Sequence, residues 1–469
     1  MKNVLFYFSS LTPSRLLLWS RCFDELSDQL DINISVFFEK DSDLETAKAG
    51  SHLDPYLIQL EENRRSVIEY GPDRIKTILS KYDSYNLQKY RLQKIILNQP
   101  KSFEVEYPQQ LGFVITQFEE LFDRCNPDLI FVMEPKNLAW TANLFILEMI
   151  CRVKKLEFRF IHLAGCYSRL NVFDNLFRVS ADVHRTFKSK LGQGLSKAEI
   201  NRVEQFIASY RNFKSSRSVR DILQKKHTRQ RSWWETTSIR SRVLEYLRNT
   251  RRAGGSSSRR RYHKMIDLTE RRYILFLPNK PENGRAQYLS PYYSDCNSIL
   301  VRALALSMPI DCALVIKDHP HTLEKGISGA VEEVVDLFDN CFYLDPKEDS
   351  MEIAANSAAV ASVASTSALE ALMLKKHLIL FGEENFNFGV EEAPIKRVTN
   401  LEKLPMIIND CLTQDPPAHE ILVWVYAILT NSFSWSSVDD QDWNNNSNQG
   451  FEQKWAELVK RGVSNFCSS

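Results

Sequence analysis

The sequence has almost no net charge. Its 60 lysine and arginine residues are balanced by 59 aspartate and glutamate residues, which leaves a formal charge of +1 at pH 7. Proteins that bind nucleic acid usually display a clear excess of basic residues. The overall composition therefore argues against nucleic acid as a partner, and any basic surface must be local.

The cysteines lack a pairing pattern. There are nine, an odd number, and no two of them form a Cys-x-x-Cys motif. Disulfide frameworks and zinc sites need paired or regularly spaced cysteines. The scattered positions predict reduced thiols in a cytoplasmic protein. Because no spaced cluster of His and Cys is present either, we expect no metal ion and no resident cofactor.

Long apolar runs are missing as well. The run from Val4 to Phe8 is interrupted at Ser9 after five residues, which is too short for the hydrophobic part of a signal peptide. No stretch approaches the roughly 20 apolar residues that span a bilayer. We therefore expect a cytoplasmic protein that does not cross a membrane.

What is present is a chain of 469 residues, 43% of them hydrophobic, which suffices for two cores of ordinary size. Short apolar runs alternate with amphipathic helical patterns in two separate series. Such alternation predicts an α/β protein with two parallel, doubly wound, Rossmann-like sheets and a ligand cleft between them. The predicted strands are 4–8, 32–38, 128–133 and 157–163 in the first series, and 273–277, 312–316, 342–344, 359–363 and 378–381 in the second.

A basic segment lies between the two series. Residues 211–272 contain nineteen Lys and Arg residues against five Asp and Glu residues, with a Gly-Gly-Ser-Ser-Ser run at 254–258. Trp233, Trp234 and Leu244 are spaced as on one face of a helix. One interpretation is a basic amphipathic helix on an anionic membrane surface, which would make the protein peripheral on the inner face of the cell membrane. The second is a solvated, flexible linker. The third is nucleic-acid binding, although no recognised reading module accompanies the charge.

The first polar segment of interest follows the predicted strand 312–316. Lys317 and His319 are placed where a parallel strand ends, which is where α/β domains present their ligand contacts. An ammonium and an imidazole there suit a phosphate or diphosphate. Pro320 also fits the alternative that the segment is an ordinary turn.

The second segment follows the strand 359–363. Ser365, Thr366 and Ser367 precede a predicted helix that contains Glu370. Hydroxyl groups and free backbone N–H groups at a helix start suit an anion, and Glu370 suits ribose hydroxyls. The alternative is a capping box, since Ser367 and Glu370 are three residues apart.

The third segment is the loop that begins with Pro278 and Asn279, after the strand 273–277. Its proline and glycine residues would also suit any tight connection. All three loops should emerge at one edge of one sheet, and this convergence predicts a phosphate and ribose site.

Five motifs follow one another in the second half of the chain, over about 110 residues. They are Tyr273-Ile-Leu-Phe-Leu-Pro278, Ser290-Pro-Tyr-Tyr293, Val315-Ile-Lys-Asp-His-Pro320, Ser365-Thr-Ser-Ala-Leu-Glu-Ala-Leu372 and Leu378-Ile-Leu-Phe-Gly382. In these motifs the chain resembles the capsule polysaccharide biosynthesis family, which includes Kdo transferases. The donor half of that family is similar to that of bacterial sialyltransferases and polysialyltransferases.

This resemblance implies a GT-B fold and a glycosyltransferase that uses a CMP-activated, Kdo-like or sialic-like sugar and a lipid-linked or glycan acceptor, without a metal. It implies that His319, with Lys317 beside it, contacts the donor phosphate. Ser365 and Thr366 would match the hydroxyl pair at the same phosphate, and Glu370 the glutamate of the family's Glu-Ala motif. The loop 279–282 departs from the family pattern, which has a glutamine-containing stretch there.

We predict that the chain divides into four parts. They are a Rossmann-like acceptor domain (1–185), a basic linker (186–270), a Rossmann-like nucleotide-sugar donor domain (271–405) and a helical tail (406–469). The tail either returns to pack on the first domain or caps the second. Residues 43–100 are a candidate acceptor-binding insertion.

A transferase also needs a base that takes the acceptor proton. Our candidate is Glu134, which follows the strand 128–133 of the first series. The alternative is an acidic residue at a helix start. His162 and His321 are reserve candidates.

Three other functions remain open from the sequence. A nucleotide-sugar epimerase and a polyol-phosphate transferase share the two-domain build. A non-catalytic partner in polysaccharide assembly would bind a nucleotide or polysaccharide without turnover.

Overall fold

The computed structural model places most of the predicted elements. It describes residues 2–8, 16–38, 77, 80–81, 103–133, 142–163, 169–174, 181–216, 271–278, 293, 296–318, 329–363, 367–382, 394–434 and 449–467. The predicted insertion at 43–100 and most of the basic segment lie outside these ranges.

The strands are numbered in chain order: β1 (Lys2–Phe8), β2 (Ile32–Phe38), β3 (Leu129–Met133), β4 (Glu157–Leu163), β5 (Arg169–Phe173), β6 (Arg272–Leu277), β7 (Cys312–Lys317), β8 (Cys341–Leu344), β9 (Ala359–Ser362), β10 (His377–Leu380), β11 (Lys396–Arg397) and β12 (Phe433–Ser434). The helices are α1 (Leu16–Gln29), α2 (Phe103–Cys125), α3 (Ala142–Lys154), α4 (Ala181–Gln193), α5 (Lys197–Ser216), α6 (Asn297–Ser307), α7 (Gly329–Val335), α8 (Ser350–Asn356), α9 (Ser367–Met373), α10 (Leu404–Thr413), α11 (Ala418–Thr430) and α12 (Gln449–Cys467).

The first sheet has the order β12-β5-β4-β3-β1-β2. Strands β1 to β4 are parallel, and both faces of β1 are buried: Phe6 packs towards α1 and α12, and Tyr7 towards α2 and α3. A parallel strand covered on both faces must be apolar along its whole length, which explains the run from Val4 to Phe8. The sheet differs from the predicted parallel one at its edge, where β5 and β12 are antiparallel.

The second sheet is parallel throughout and has the order β11-β10-β9-β6-β7-β8. Its first strand, β6, is central. The chain adds β7 and β8 on one side and then crosses to add β9, β10 and β11 on the other. This order makes the boundary between β6 and β9 the topological switch point, where open α/β sheets usually bind ligands. The predicted fold class, α/β with two Rossmann-like sheets, is confirmed.

Two helical parts of the chain pack in places that do not follow from their positions in the sequence. Helices α4 and α5 precede β6, and they share a core with the second sheet through Val183, Phe187, Val203 and Ile207. Helix α12 ends the described chain and packs on the first sheet beside α1, burying Val459. The last helix of the tail therefore returns to the first sheet, whereas α10 and α11 pack against the second sheet, so each of the two predicted alternatives holds for part of the tail. The four-part division by residue number stays a prediction.

None of the described helices is both long and apolar enough to cross a membrane. The eight described cysteines are all free thiols, and burial raises the pKa of Cys22, Cys341 and Cys411 to about 12. These buried thiols remain protonated at neutral pH and are unreactive.

Candidate functional site

The three predicted loops start from neighbouring strands. In the second sheet, β6 lies between β7 and β9, with Phe276 opposite Ile316 and Leu277 opposite Ser362. Because the strands are parallel, their carboxyl ends meet at one edge of the sheet. Adjacent strands are about 4.8 Å apart, so the ends of β7 and β9 are separated by about 10 Å. That distance is on the scale of a nucleotide.

The structure describes four of the predicted donor-site residues at this edge. Pro278 follows β6, Lys317 ends β7, and Ser367 and Glu370 lie in α9, which follows β9. The other predicted residues lie outside the described part of the chain, and their roles stay predictions. They are Glu134, Asn279, His319, His321, Ser365 and Thr366. His162 lies in β4, where its backbone pairs with Asn171.

Lys317 is buried, with 3% of its surface exposed, and its side chain is directed to the loop between β8 and α8. Its ammonium Nζ donates to the backbone carbonyl oxygens of Asp318 and Pro346, both at 3.3 Å. Asp318 is itself held by Tyr343, whose hydroxyl donates to Oδ2 at 2.6 Å. Lys317 thus ties the end of β7 to the end of β8, a structural role that its sequence position did not indicate.

Burial dominates the electrostatics of Lys317. It lowers the pKa of the ammonium from the usual 10.5 to about 8, although the nearby carboxylates of Asp318, Asp349, Asp345 and Glu348 oppose the shift. Taking an ammonium out of water costs free energy, and opposite charges recover only part of it. Lys317 is therefore close to losing its proton at mildly alkaline pH.

This lowered pKa predicts how stability changes with pH. Between pH 8 and 10.5 the unfolded chain holds the Lys317 proton and the folded chain does not, so unfolding takes up a proton and stability rises with pH. Below pH 8 both the folded and the unfolded chain hold the proton, and this gain in stability is absent. We expect the free energy of unfolding of the wild-type protein, minus that of Lys317→Met, to increase between pH 8 and 10.5. Urea unfolding at several pH values measures this difference, and a flat or falling difference would show that burial does not depress the lysine pKa.

Glu370 is buried, with 4% of its surface exposed, and it contacts a helix that the sequence analysis did not connect with the site. Its Oε1 accepts a hydrogen bond of 2.9 Å from the hydroxyl of Tyr210 in α5, a residue 160 positions away. The sequence carried no signal for this pairing, since it depends on α5 crossing to the second sheet.

Ser362 is a further polar residue at this edge that the sequence analysis missed. It ends β9, opposite Leu277 and Leu380, and its side chain is fully buried. Within the described part of the chain its Oγ has no hydrogen-bond partner. Buried hydroxyl groups are normally paired. The available signal was a serine closing the otherwise apolar strand Ala359-Val360-Ala361.

The described residues contain no group of three or more His, Cys, Asp or Glu side chains that could hold a metal ion. Metal independence of the reaction stays a prediction.

The fold and this edge define a class: a two-sheet α/β protein whose second, Rossmann-like sheet gathers polar residues at its switch point. Residues 195–391 match the model of a family described as capsule polysaccharide biosynthesis protein. The match begins just before α5 and extends beyond β10, so it contains Tyr210, Glu370 and all three loops. The resemblance predicted from the sequence motifs is thereby confirmed for this part of the chain.

Three solved structures are similar over most of the chain at low identity. The β-Kdo 2,7 transferase KpsC of Thermosulfurimonas dismutans is 10% identical, with a TM-score of 0.41, covering 94% of this chain and 98% of that one. UDP-GlcNAc 2-epimerases of Methanocaldococcus jannaschii and Neisseria meningitidis are each 11% identical, with TM-scores of 0.31 and 0.28; each alignment covers 92% of this chain, and 99% and 100% of theirs. These similarities are too low to indicate an activity. A search of curated protein sequences found no match.

Proposed function

We propose that this protein is a glycosyltransferase of capsular polysaccharide biosynthesis, which transfers a Kdo-like or sialic-like sugar from a CMP-activated donor to a lipid-linked or glycan acceptor. The observation that carries the proposal is the family match over residues 195–391, which contains all three polar loops at the switch point of the second sheet. The proposal places the reaction in the cytoplasm. It also takes the basic segment 211–272 as a contact to the anionic inner face of the membrane.

In the proposed mechanism the donor is bound at the carboxyl edge of the second sheet. His319, Ser365 and Thr366 contact the donor phosphate and stabilise the charge that develops as CMP leaves. Glu370 accepts hydrogen bonds from the ribose. The proposed mechanism requires no metal ion, because hydrogen-bond donors of the protein stabilise the negative charge of the phosphate.

Four further residues complete the proposed donor site. Lys317 adds positive charge near the same phosphate, and Pro278 and Asn279 border the nucleotide, as does Ser367. Glu134, from the first sheet, takes the proton of the attacking acceptor hydroxyl as general base.

Nucleotide-induced thermal stabilisation tests the proposal. The full-length protein is heated with CMP, CDP, UDP, GDP or ADP, each at saturating concentration. A ligand at 100 times its dissociation constant stabilises the folded state by about 2.7 kcal/mol. We expect stabilisation by the cytidine nucleotides, with CMP strongest.

Each other outcome of that experiment favours a different function. Stabilisation by UDP alone, with turnover of a UDP-sugar in the absence of any acceptor, would indicate an epimerase. Release of CMP from a CDP-polyol, with transfer of the polyol phosphate to the acceptor and without turnover of CMP-activated sugars, would favour a polyol-phosphate transferase. No stabilisation by any nucleotide would contradict a nucleotide-sugar enzyme and favour a non-catalytic assembly partner.

A further inference from the structure

Helix α5 is attached to the second sheet along one face. Val203, Ile207 and Tyr210 are spaced four and three residues apart, so they lie on the same side of the helix. All three are buried in the core that covers β6, β9 and α9. This spacing places the hydroxyl of Tyr210 against α9, where it donates to Glu370.

The amino end of α5 is anchored independently. Glu199 accepts hydrogen bonds from the Lys190 ammonium of α4 at 2.7 Å and from the Tyr426 hydroxyl of α11 at 2.6 Å. It also accepts one from the backbone N–H of Ser196 at 2.8 Å. Lys190 and then Tyr426 lower the pKa of Glu199 to about 2, so this anchor stays ionised at neutral pH. Of these two tyrosines, Tyr210 bonds to Glu370 at the candidate site and Tyr426 bonds to Glu199 at the amino end of α5.

The hydrogen bond from Tyr210 restricts the orientation of the buried Glu370 carboxyl group. A glutamate side chain has three rotatable bonds, and a donor fixed on a rigid helix selects one arrangement of them. A hydrogen bond of this kind, made in a buried position, favours that arrangement over the others. If a carboxylate binds a ribose in one orientation, holding it in that orientation beforehand raises the affinity, because less conformational entropy is lost on binding.

We infer that Tyr210 is a positioning residue of the donor site, which holds the Glu370 carboxylate in the orientation that accepts the ribose hydroxyls of the nucleotide. The inference rests on the proposed function, because it takes Glu370 as the ribose contact. It extends the site from the loops of the second sheet to α5. Helix α5 leads into the basic segment, which begins within its last turns at Arg211.

The test compares CMP with 2′,3′-dideoxy-CMP, which lacks both ribose hydroxyls, by calorimetric titration of the full-length protein. The variants are Tyr210→Phe, Glu370→Gln and, as the matched control, Tyr426→Phe, which removes the other tyrosine hydroxyl that holds α5. We expect wild-type protein and Tyr426→Phe to bind CMP more tightly than the dideoxy analogue. In Tyr210→Phe the dissociation constant for CMP should rise about tenfold, the equivalent of about 1.4 kcal/mol, with little change for the analogue.

The outcomes separate the inference from the proposed function. A purely structural role for Tyr210 would lower the melting temperature and weaken both nucleotides equally, which would overturn the inference. The inference would also be overturned if Tyr210→Phe still preferred CMP over the dideoxy analogue as strongly as the wild-type protein does, or if the wild-type protein showed no such preference. Either result would leave CMP binding and the proposed function intact. If CMP does not bind the wild-type protein, the proposed function fails, and the inference fails with it.

Discussion

Replacing His319 with alanine is expected to lower the turnover of sugar transfer about 10²–10³-fold and to remove most of the stabilisation by CMP. Removing one donor that stabilises developing negative charge typically costs this much in turnover. His319 follows Asp318 at the end of β7, and β7 adjoins β6 at the switch point of the second sheet. Single-turnover release of CMP from a CMP-activated sugar measures the effect on the chemical step.

His419→Ala is the matched control for this prediction. His419 is exposed near the start of α11, so its removal should leave turnover and nucleotide binding unchanged. Ser365→Ala should reduce the stabilisation by CMP in the same direction as His319→Ala. Full turnover by His319→Ala, in a preparation that melts like the wild type, would remove this histidine from the mechanism.

Replacing Gly462 with alanine should destabilise the protein by about 1–3 kcal/mol, the usual cost of overpacking a core. Gly462 lies in α12, and an added Cβ would approach Phe131 Cε2 to 2.6 Å, Phe131 Cζ to 3.2 Å and Val172 Cγ1 to 3.4 Å. The Phe131 ring cannot move aside easily, because it is fully buried and packs beside Phe6. The clash therefore outweighs the better helix propensity of alanine. Urea unfolding measures the change.

Gly192→Ala provides the comparison for that measurement. Gly192 is also in a helix, α4, but it is exposed, and an added Cβ would meet nothing within 4 Å. Here only helix propensity acts, so alanine should stabilise the protein by up to about 1 kcal/mol. Equal effects of the two substitutions would show that α12 does not pack against β3 as closely as described.

Much of the fold could be predicted from local sequence patterns. The central strands of both sheets were predicted within one or two residues, because a strand buried on both faces is a short, continuous apolar run with polar ends. The antiparallel strands β5 and β12, at one side of the first sheet, were not predicted. Strand β12 has two residues, and its pairing of Phe433 with Leu170 joins residues more than 260 positions apart.

The candidate site could be predicted only in part. Its loops follow apolar strands that are visible in the sequence, so Lys317 and Glu370 could be assigned to one edge of one sheet. Their partners could not be, because Pro346 and Tyr210 reach them from separate elements. Sequence position alone favoured a phosphate contact for Lys317, whereas the structure gives its ammonium two backbone carbonyl partners.

The sequence by itself therefore determined the alternation of strands and helices, the two sheets and the motifs shared with the capsule polysaccharide biosynthesis family. These depend on neighbouring residues and on the periodicity of apolar side chains. Only the tertiary structure decided that α12 covers the first sheet, that α5 joins the second, and that Tyr210 meets Glu370. Such contacts depend on which apolar faces can be buried together, and the burial of a helix face is favourable against any apolar surface of matching shape. Which of those surfaces a helix covers is determined by the packing of the whole chain, and no local sequence pattern predicts it.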